Sequence, residues 1–319
     1  MSTQTLVRKT APVKGIPLGR KLIPYAYLSP ALISITVLSI FPMLFNLYLS
    51  FTDADLYTFQ KGLSFAGIQN YIEIFQGTFS AVFFPVLGWT LLYALLSTFS
   101  QFFLGMFIAL RLNNPYMWES RFYRALLVIP WAIPGTIAVL AWQGMFHASY
   151  GTINRWLEGM FHIQKIPWLQ DPNLAKIAVM VVNLWLGFPF FMSICLGALQ
   201  SIPADLYEVA DIDGATNWDK FWKVTMPMLI RFTIPVMISS FAFNFNNFST
   251  AFLMTSGGPA RVGAFNAGYT DILVSVGYKL TVNLYRYGLS AALSLVLFLI
   301  VAGLSWMNMK ATGAFGEDD

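Results

Sequence analysis

Ser201-Ile-Pro-Ala-Asp-Leu-Tyr-Glu208-Val-Ala-Asp-Ile-Asp213-Gly214-Ala-Thr-Asn-Trp-Asp-Lys-Phe-Trp-Lys-Val-Thr-Met-Pro227 lies between two long apolar runs of a 319-residue chain. Pro203 suits the first turn of a short helix after Ser201, with Asp205 and Glu208 where the helix dipole favours negative charge. Gly214 supplies a bend, and Thr216 or Asn217 can cap a second short helix that carries Trp218, Phe221 and Trp222. Leu206, Val209, Ala210 and Ile212 form an apolar face too small to be a core. A helix–glycine–helix unit with exposed apolar residues implies a partner.

Outward from this segment the chain is apolar. Hydrophobic residues make up 57% and charged residues 11%, against about 25% charged in a soluble domain. A soluble fold of this size needs a charged surface that this chain cannot supply, so lipid is the solvent for its apolar surface. The net charge of +4 arises from 19 Lys+Arg and 15 Asp+Glu. The positive residues sit between apolar stretches and not on a polar scaffold, which argues against a nucleic-acid partner. Cys195 is the single cysteine and lies in an apolar run, so no disulfide or redox pair is expected. His147 and His162 have no carboxylate or thiol at ligand spacing, and no metal site is expected.

Crossing about 30 Å of hydrocarbon takes about twenty apolar residues. Stretches of that kind lie near 22–51, 82–110, 123–146, 174–198, 228–254 and 286–310. They predict an all-α, polytopic membrane bundle of six transmembrane helices. Pro30, Pro42, Pro130, Pro134, Pro189 and Pro235 predict kinks within it. The basic start is followed by a long apolar run without a cleavage site, which predicts an uncleaved first helix that begins inside the cell. With both termini inside, the cytoplasmic side collects Arg8, Lys9, Lys14, Arg20, Lys21, Arg111, Arg121, Arg124, Lys220, Lys223, Arg231 and Lys310, or 12 of the 19 basic residues. The expected organisation is a cytoplasmic tail over 1–21, one transmembrane domain over 22–311 that includes the 201–227 loop, and a cytoplasmic tail over 312–319. The outside keeps Lys61, Arg155, Lys165, Lys176, Arg261, Lys279 and Arg286, with Lys279 in the loop between spans five and six.

Polar residues inside spans are costly and point to function. Ser240, Phe243, Asn244 and Asn247 fall at i, i+3, i+4 and i+7 of span five, which is one helical face. Asn183, Leu186, Gly187 and Phe190 repeat those offsets in span four. Amides both donate to and accept from hydroxyls, an aromatic ring packs on a sugar's C–H face, and Gly187 admits close approach. Interhelical amide bonds that glue the bundle explain the same residues equally well.

Two resemblances decide between such readings. Glu208-Val-Ala, Asp213-Gly214-Ala215, Phe221, Val224, Pro227 and Leu229 resemble the EAA loop of binding-protein-dependent ABC importers, with Val209 where that family prefers Ala. The resemblance implies a type I ABC importer permease fold, whose coupling helix docks on a cytoplasmic ATPase through Glu208, Ala210, Asp213, Gly214 and Ala215. The runs Asn183 to Phe190, Ser240 to Phe248, Thr255 to Pro259 and Ala267 to Asp271 resemble the larger (MalF-type) permease subunit of maltose/maltodextrin importers. In that subunit the positions of Asn183, Leu186, Gly187, Phe190, Ser240, Phe243, Asn244 and Asn247 contact the sugar. Phe190 stands where the best-known member has a tyrosine. That member also carries two further N-terminal helices and a large periplasmic insertion that do not appear in this sequence.

The resemblance implies a multi-pass protein of a bacterial or archaeal cytoplasmic membrane, in contact with lipid. Its partners are a second permease subunit, two cytoplasmic ATPase subunits and an extracytoplasmic sugar-binding protein. No cofactor belongs to this chain; ATP and Mg sit on the ATPases, and no G-x-x-x-x-G-K-[ST] occurs here. Trehalose and sucrose are alternative cargoes. A lone ion-coupled transporter would be expected to carry ionisable residues within its spans. A glycosyltransferase reading would rest on Asp211-Ile-Asp213.

Overall fold

The computed structural model describes residues 18–311 except 262, 264 and 265. Arg8, Lys9, Lys14 and the tail over 312–319 therefore lie outside the described residues. No strand occurs among the described residues. Contacts divide the chain into two units that meet in sequence at Tyr48 and Leu49, where the sequence predicts one domain over 22–311.

The first unit is helical: α1 (Leu18–Ile35), a π-turn over Thr36–Ile40, and α2 (Phe41–Leu49). Tyr25–Leu49 is long and apolar enough to cross a membrane, and no residue from Tyr25 to Tyr48 is buried. Pro42 explains the π-turn. It has no N–H to offer the carbonyl four residues back, at Leu38, and the helix widens around that residue. The same device recurs in the second unit, where Pro227 follows a π-turn over Phe221–Thr225 centred on Lys223.

The second unit opens with two short helices, α3 (Thr58–Lys61) and α4 (Gln69–Phe75). In the loops on either side of α3, the Ser64 hydroxyl and N–H donate to the Asp53 carboxylate, and those bonds hold its pKa below the usual carboxylate value. α5 (Ser80–Leu112) follows and is the spine of the bundle. At about 1.5 Å per residue it reaches well beyond one hydrocarbon thickness. Next come α6 (Ser120–Ala132), α7 (Gly135–Met145), the short α8 (Thr152–Phe161) and α9 (Pro172–Gln200). α9 starts with Pro172 behind an Asp171 cap, whose carboxylate accepts from the N–H groups of Asn173 and Leu174 at 2.9 and 3.0 Å. Its longest packing partner is α5.

The predicted third span, 123–146, is not a kinked helix but a broken one. α6 and α7 meet at 89°. Pro134 has no N–H for the carbonyl of Pro130, and it forces Ile133 into extended backbone, with ψ 135°.

The 201–227 loop forms α10 (Ala204–Ile212) and the start of span five. α11 (Asn217–Lys220) runs through the second π-turn into α12 (Met226–Phe245), so the predicted second short helix is the base of the span itself. Span five then breaks at Asn246 and resumes as α13 (Phe248–Thr255). α14 (Leu273–Val282) and α15 (Tyr287–Ala311) complete the unit.

The region between spans five and six also differs from its prediction. Asp271 and Lys279 are not in a solvated loop: their ion pair, 2.6 Å long, is almost wholly buried. Asp271 also accepts from the Ser275 hydroxyl at 2.7 Å and the Gly268 N–H at 2.6 Å, and Lys279 donates to the Asn266 carbonyl at 3.1 Å. α14 packs against α5, α13 and α15, so hydropathy made the segment look peripheral while packing makes it core. Further hydrogen bonds of this kind offset the cost of burying an ion pair.

Candidate functional site

Both helix breaks open onto one cavity of about 720 Å³, lined from α5, the α6–α7 break, α9 and the α12–α13 break. All eight residues singled out in spans four and five line it: Asn183, Leu186, Gly187, Phe190, Ser240, Phe243, Asn244 and Asn247. They do not reach it as two simple helical faces. α12 ends at Phe245, and Asn247 is the N-cap of α13, accepting from the Thr250 N–H at 3.3 Å. The i, i+7 relation of Ser240 to Asn247 therefore does not describe one continuous helix. Asn244 is 1% exposed and its neighbour Phe243 is 71% exposed, so adjacent residues of the end turn serve opposite surfaces.

The amides are bonded to one another across the bundle. Asn183 donates from Nδ2 to Asn244 Oδ1 at 2.9 Å, and Asn247 donates from Nδ2 to Asn183 Oδ1 at 3.0 Å. Asn244 Nδ2 in turn donates to Thr98 Oγ1 at 3.2 Å and Gln101 Oε1 at 3.3 Å. Asn183 and Asn247 each keep a second N–H and a second lone pair. With the Ser239, Ser240 and Thr136 hydroxyls at the lining, these provide donors and acceptors beside the exposed faces of Phe243 and Trp131. Trp131 and Phe190 pack together with centroids 6.1 Å apart. The arrangement suits a ligand that presents hydroxyls on its edges and C–H groups on its faces.

Among the lining residues not singled out as site residues in the sequence are Gln101, Pro130, Trp131 and Thr136. Gln101 was accessible to the same criterion that selected the asparagines, a polar side chain inside an apolar run. The other three enter the lining only because the helix breaks at Pro134, which hydropathy does not register.

A second feature lies at the other end of α9. α10 presents Leu206, Val209 and Ile212 at 41%, 57% and 86% exposure, with no apolar cover. It is anchored to span five by a 2.9 Å hydrogen bond between Tyr207 Oη and Thr225 Oγ1, and by an ion pair of Asp211 with Lys220. The turn after α10 uses Gly214 at φ 73°, a conformation costly for other residues. Thr216 then caps α11 in a capping box with Asp219. Ala210, Asp213, Gly214 and Ala215 line one side of a cleft beside this turn, and Glu208 stands exposed on the helix that borders it.

Residues 101–309 match the family described as binding-protein-dependent transport system inner membrane component. The chain belongs to that family. The permease is 39% identical over 298 residues to the galactooligosaccharides transport system permease protein GanP of Bacillus subtilis, covering 92% of this chain and 71% of that one. It is 37% identical to the maltodextrin transport system permease protein MdxF of the same organism, covering 94% and 71%. The maltose/maltodextrin transport system permease protein MalF of Salmonella typhimurium is 40% identical over 251 residues, 77% of this permease and 49% of that protein. Among solved structures, a bacterial ABC transporter involved in alginate import aligns with a TM-score of 0.71 at 21% identity, covering 92% and 97%. Its complex with an alginate-pentasaccharide-bound periplasmic protein aligns at 0.73 and 19%, covering 94% and 97%. The permease thus has the type I ABC importer permease fold and is an inner-membrane component.

Proposed function

We propose that the permease forms half of the pore of an ABC importer for maltose- or maltodextrin-type sugars. The observation that carries this reading is the single cavity that gathers Asn183, Asn244 and Asn247 with Phe190, Phe243 and Trp131. Its amides match sugar hydroxyls and its rings match sugar faces. Similarity to permeases named for maltodextrin and maltose transport supports the same cargo class.

A second permease subunit closes the open side of the cavity, where Phe243 is exposed, and both termini face the cytoplasm. An extracytoplasmic binding protein delivers the sugar. Glu208, Ala210, Asp213, Gly214 and Ala215 couple the permease to one of two cytoplasmic ATPase subunits, which bind ATP and Mg. ATP binding draws the two coupling helices together and turns the pore outward; hydrolysis returns it to the inward-facing state. The chain itself hydrolyses nothing. The broken spans suit this cycle, because a break lets one half-helix move while the other stays packed.

The similarity to GanP favours a second cargo, a galactose-containing oligosaccharide. Stimulation of ATP hydrolysis in the reconstituted complex with its binding protein separates the two. Maltotriose should stimulate most, ahead of trehalose, sucrose and galactooligosaccharides. Stimulation by galactooligosaccharides alone replaces the cargo, and stimulation by no sugar overturns the reading.

A further inference from the structure

We infer that Gln101, on α5, is a positioning residue that, together with the Thr250 N–H at the opposite end, fixes the orientation of the asparagines in the cavity. The inference rests on the proposed sugar site and adds a residue that acts through it.

Gln101 is 4% exposed. Its Nε2 donates to the backbone carbonyl of Asn183 at 2.8 Å. A carbonyl only accepts, so this bond fixes which end of the Gln101 carboxamide is nitrogen. Gln101 Oε1 then accepts from Asn244 Nδ2 at 3.3 Å, with Thr98 Oγ1 as that nitrogen's other acceptor. Asn244 is left with Oδ1 towards Asn183, which donates to it, and Asn183 Oδ1 accepts from Asn247. Asn247 Oδ1 ends the series by accepting from the Thr250 N–H, a group that only donates. Four carboxamides thus run between two backbone groups of opposite polarity. Only one set of orientations satisfies all of them, because turning any single amide sets N–H against N–H and oxygen against oxygen.

Gly187 belongs to the same device. A Cβ there would collide with the Gln101 carboxamide, through its carbon, nitrogen and oxygen alike. The missing side chain lets Gln101 lie against α9 and reach the Asn183 carbonyl. The glycine's close neighbour is therefore a protein amide.

The relay requires a donor towards Asn183 and an acceptor towards Asn244. Leucine supplies neither and an ionised glutamate only the acceptor, but a protonated glutamate supplies both. The cavity lining contains no titratable side chain, so a pH response of Gln101→Glu relative to the parent protein belongs to the introduced carboxyl. Protonation prevails at low pH, and burial extends it upward.

The test uses the complete importer in proteoliposomes, with maltotriose uptake measured at saturating sugar and normalised to assembled complex. Gln101→Leu and Asn244→Ala should each reduce uptake about tenfold or more, and the double variant should fall no more than about twofold below Asn244→Ala. Gln101→Glu should transport well at acidic pH and decline as pH rises. Parent-like uptake in Gln101→Leu, additive losses in the double variant, or a Gln101→Glu as inactive as Gln101→Leu at acidic pH each overturn the inference while leaving the sugar site standing. Parent-like uptake in Asn244→Ala removes the sugar site and the inference together. If Gln101→Leu does not assemble, the acidic-pH uptake of Gln101→Glu decides.

Discussion

The amide cluster around Asn183 and the turn around Gly214 treat polarity in opposite ways. At the centre of the bundle Asn183, Asn244 and Gln101 are buried and satisfy one another. On α10 the apolar residues Leu206, Val209 and Ile212 stand exposed. Inside a membrane an unpaired polar group is the costly element, and at an aqueous surface an uncovered apolar face is. The amides of the first region are therefore satisfied within this chain, whereas the apolar face of the second is left uncovered by it.

The comparison breaks if variants in the two regions fail in the same way. Glu208→Arg should have the largest effect: uptake falls by about a hundredfold or more, because a charge reversal at a docking surface repels the partner it once attracted. Loss of ATPase subunits on co-purification checks it. Asp271→Ala should leave Lys279 as an unpaired buried cation and lower stability by about 3–5 kcal/mol, read as thermal unfolding in detergent. Asn183→Leu should reduce uptake about tenfold while retaining the ATPase subunits, since the interhelical hydrogen bonds lost carry only about 0.6–1.7 kcal/mol each. Gly214→Ala must hold a left-handed conformation at a cost of about 1–2 kcal/mol, so ATPase binding weakens by up to about tenfold, with sugar contacts untouched. Asp211→Ala removes a half-exposed pair with Lys220, worth less than about 1 kcal/mol, and uptake should change by less than about threefold.

The two regions also differed in how far the sequence disclosed them. The Glu208 to Pro227 segment is local: the Gly214 bend, the Thr216 cap and the apolar face all arise from residues a few positions apart. Its main surprise, that α11 feeds directly into span five, comes from Pro227 being accommodated by a π-turn and not by a stop. The cavity depends on distant partners. Asn183 and Asn244 were legible as intramembrane polar residues, but their bonding to each other and to Thr98 and Gln101 spans 61 to 146 positions of sequence. The breaks at Pro134 and Asn246 lie inside stretches long and apolar enough to read as single spans, so hydropathy shows only a span. α14 lies in a segment read as an external loop between two spans, and only packing shows that Asp271 and Lys279 neutralise each other in the core.

The most direct measurement of the central claim is maltotriose uptake by proteoliposomes assembled with and without the ATPase subunits. The account predicts uptake that requires ATP, the ATPase subunits and the binding protein together, and that Glu208→Arg abolishes. Full uptake by the permease subunits without any ATPase would contradict it.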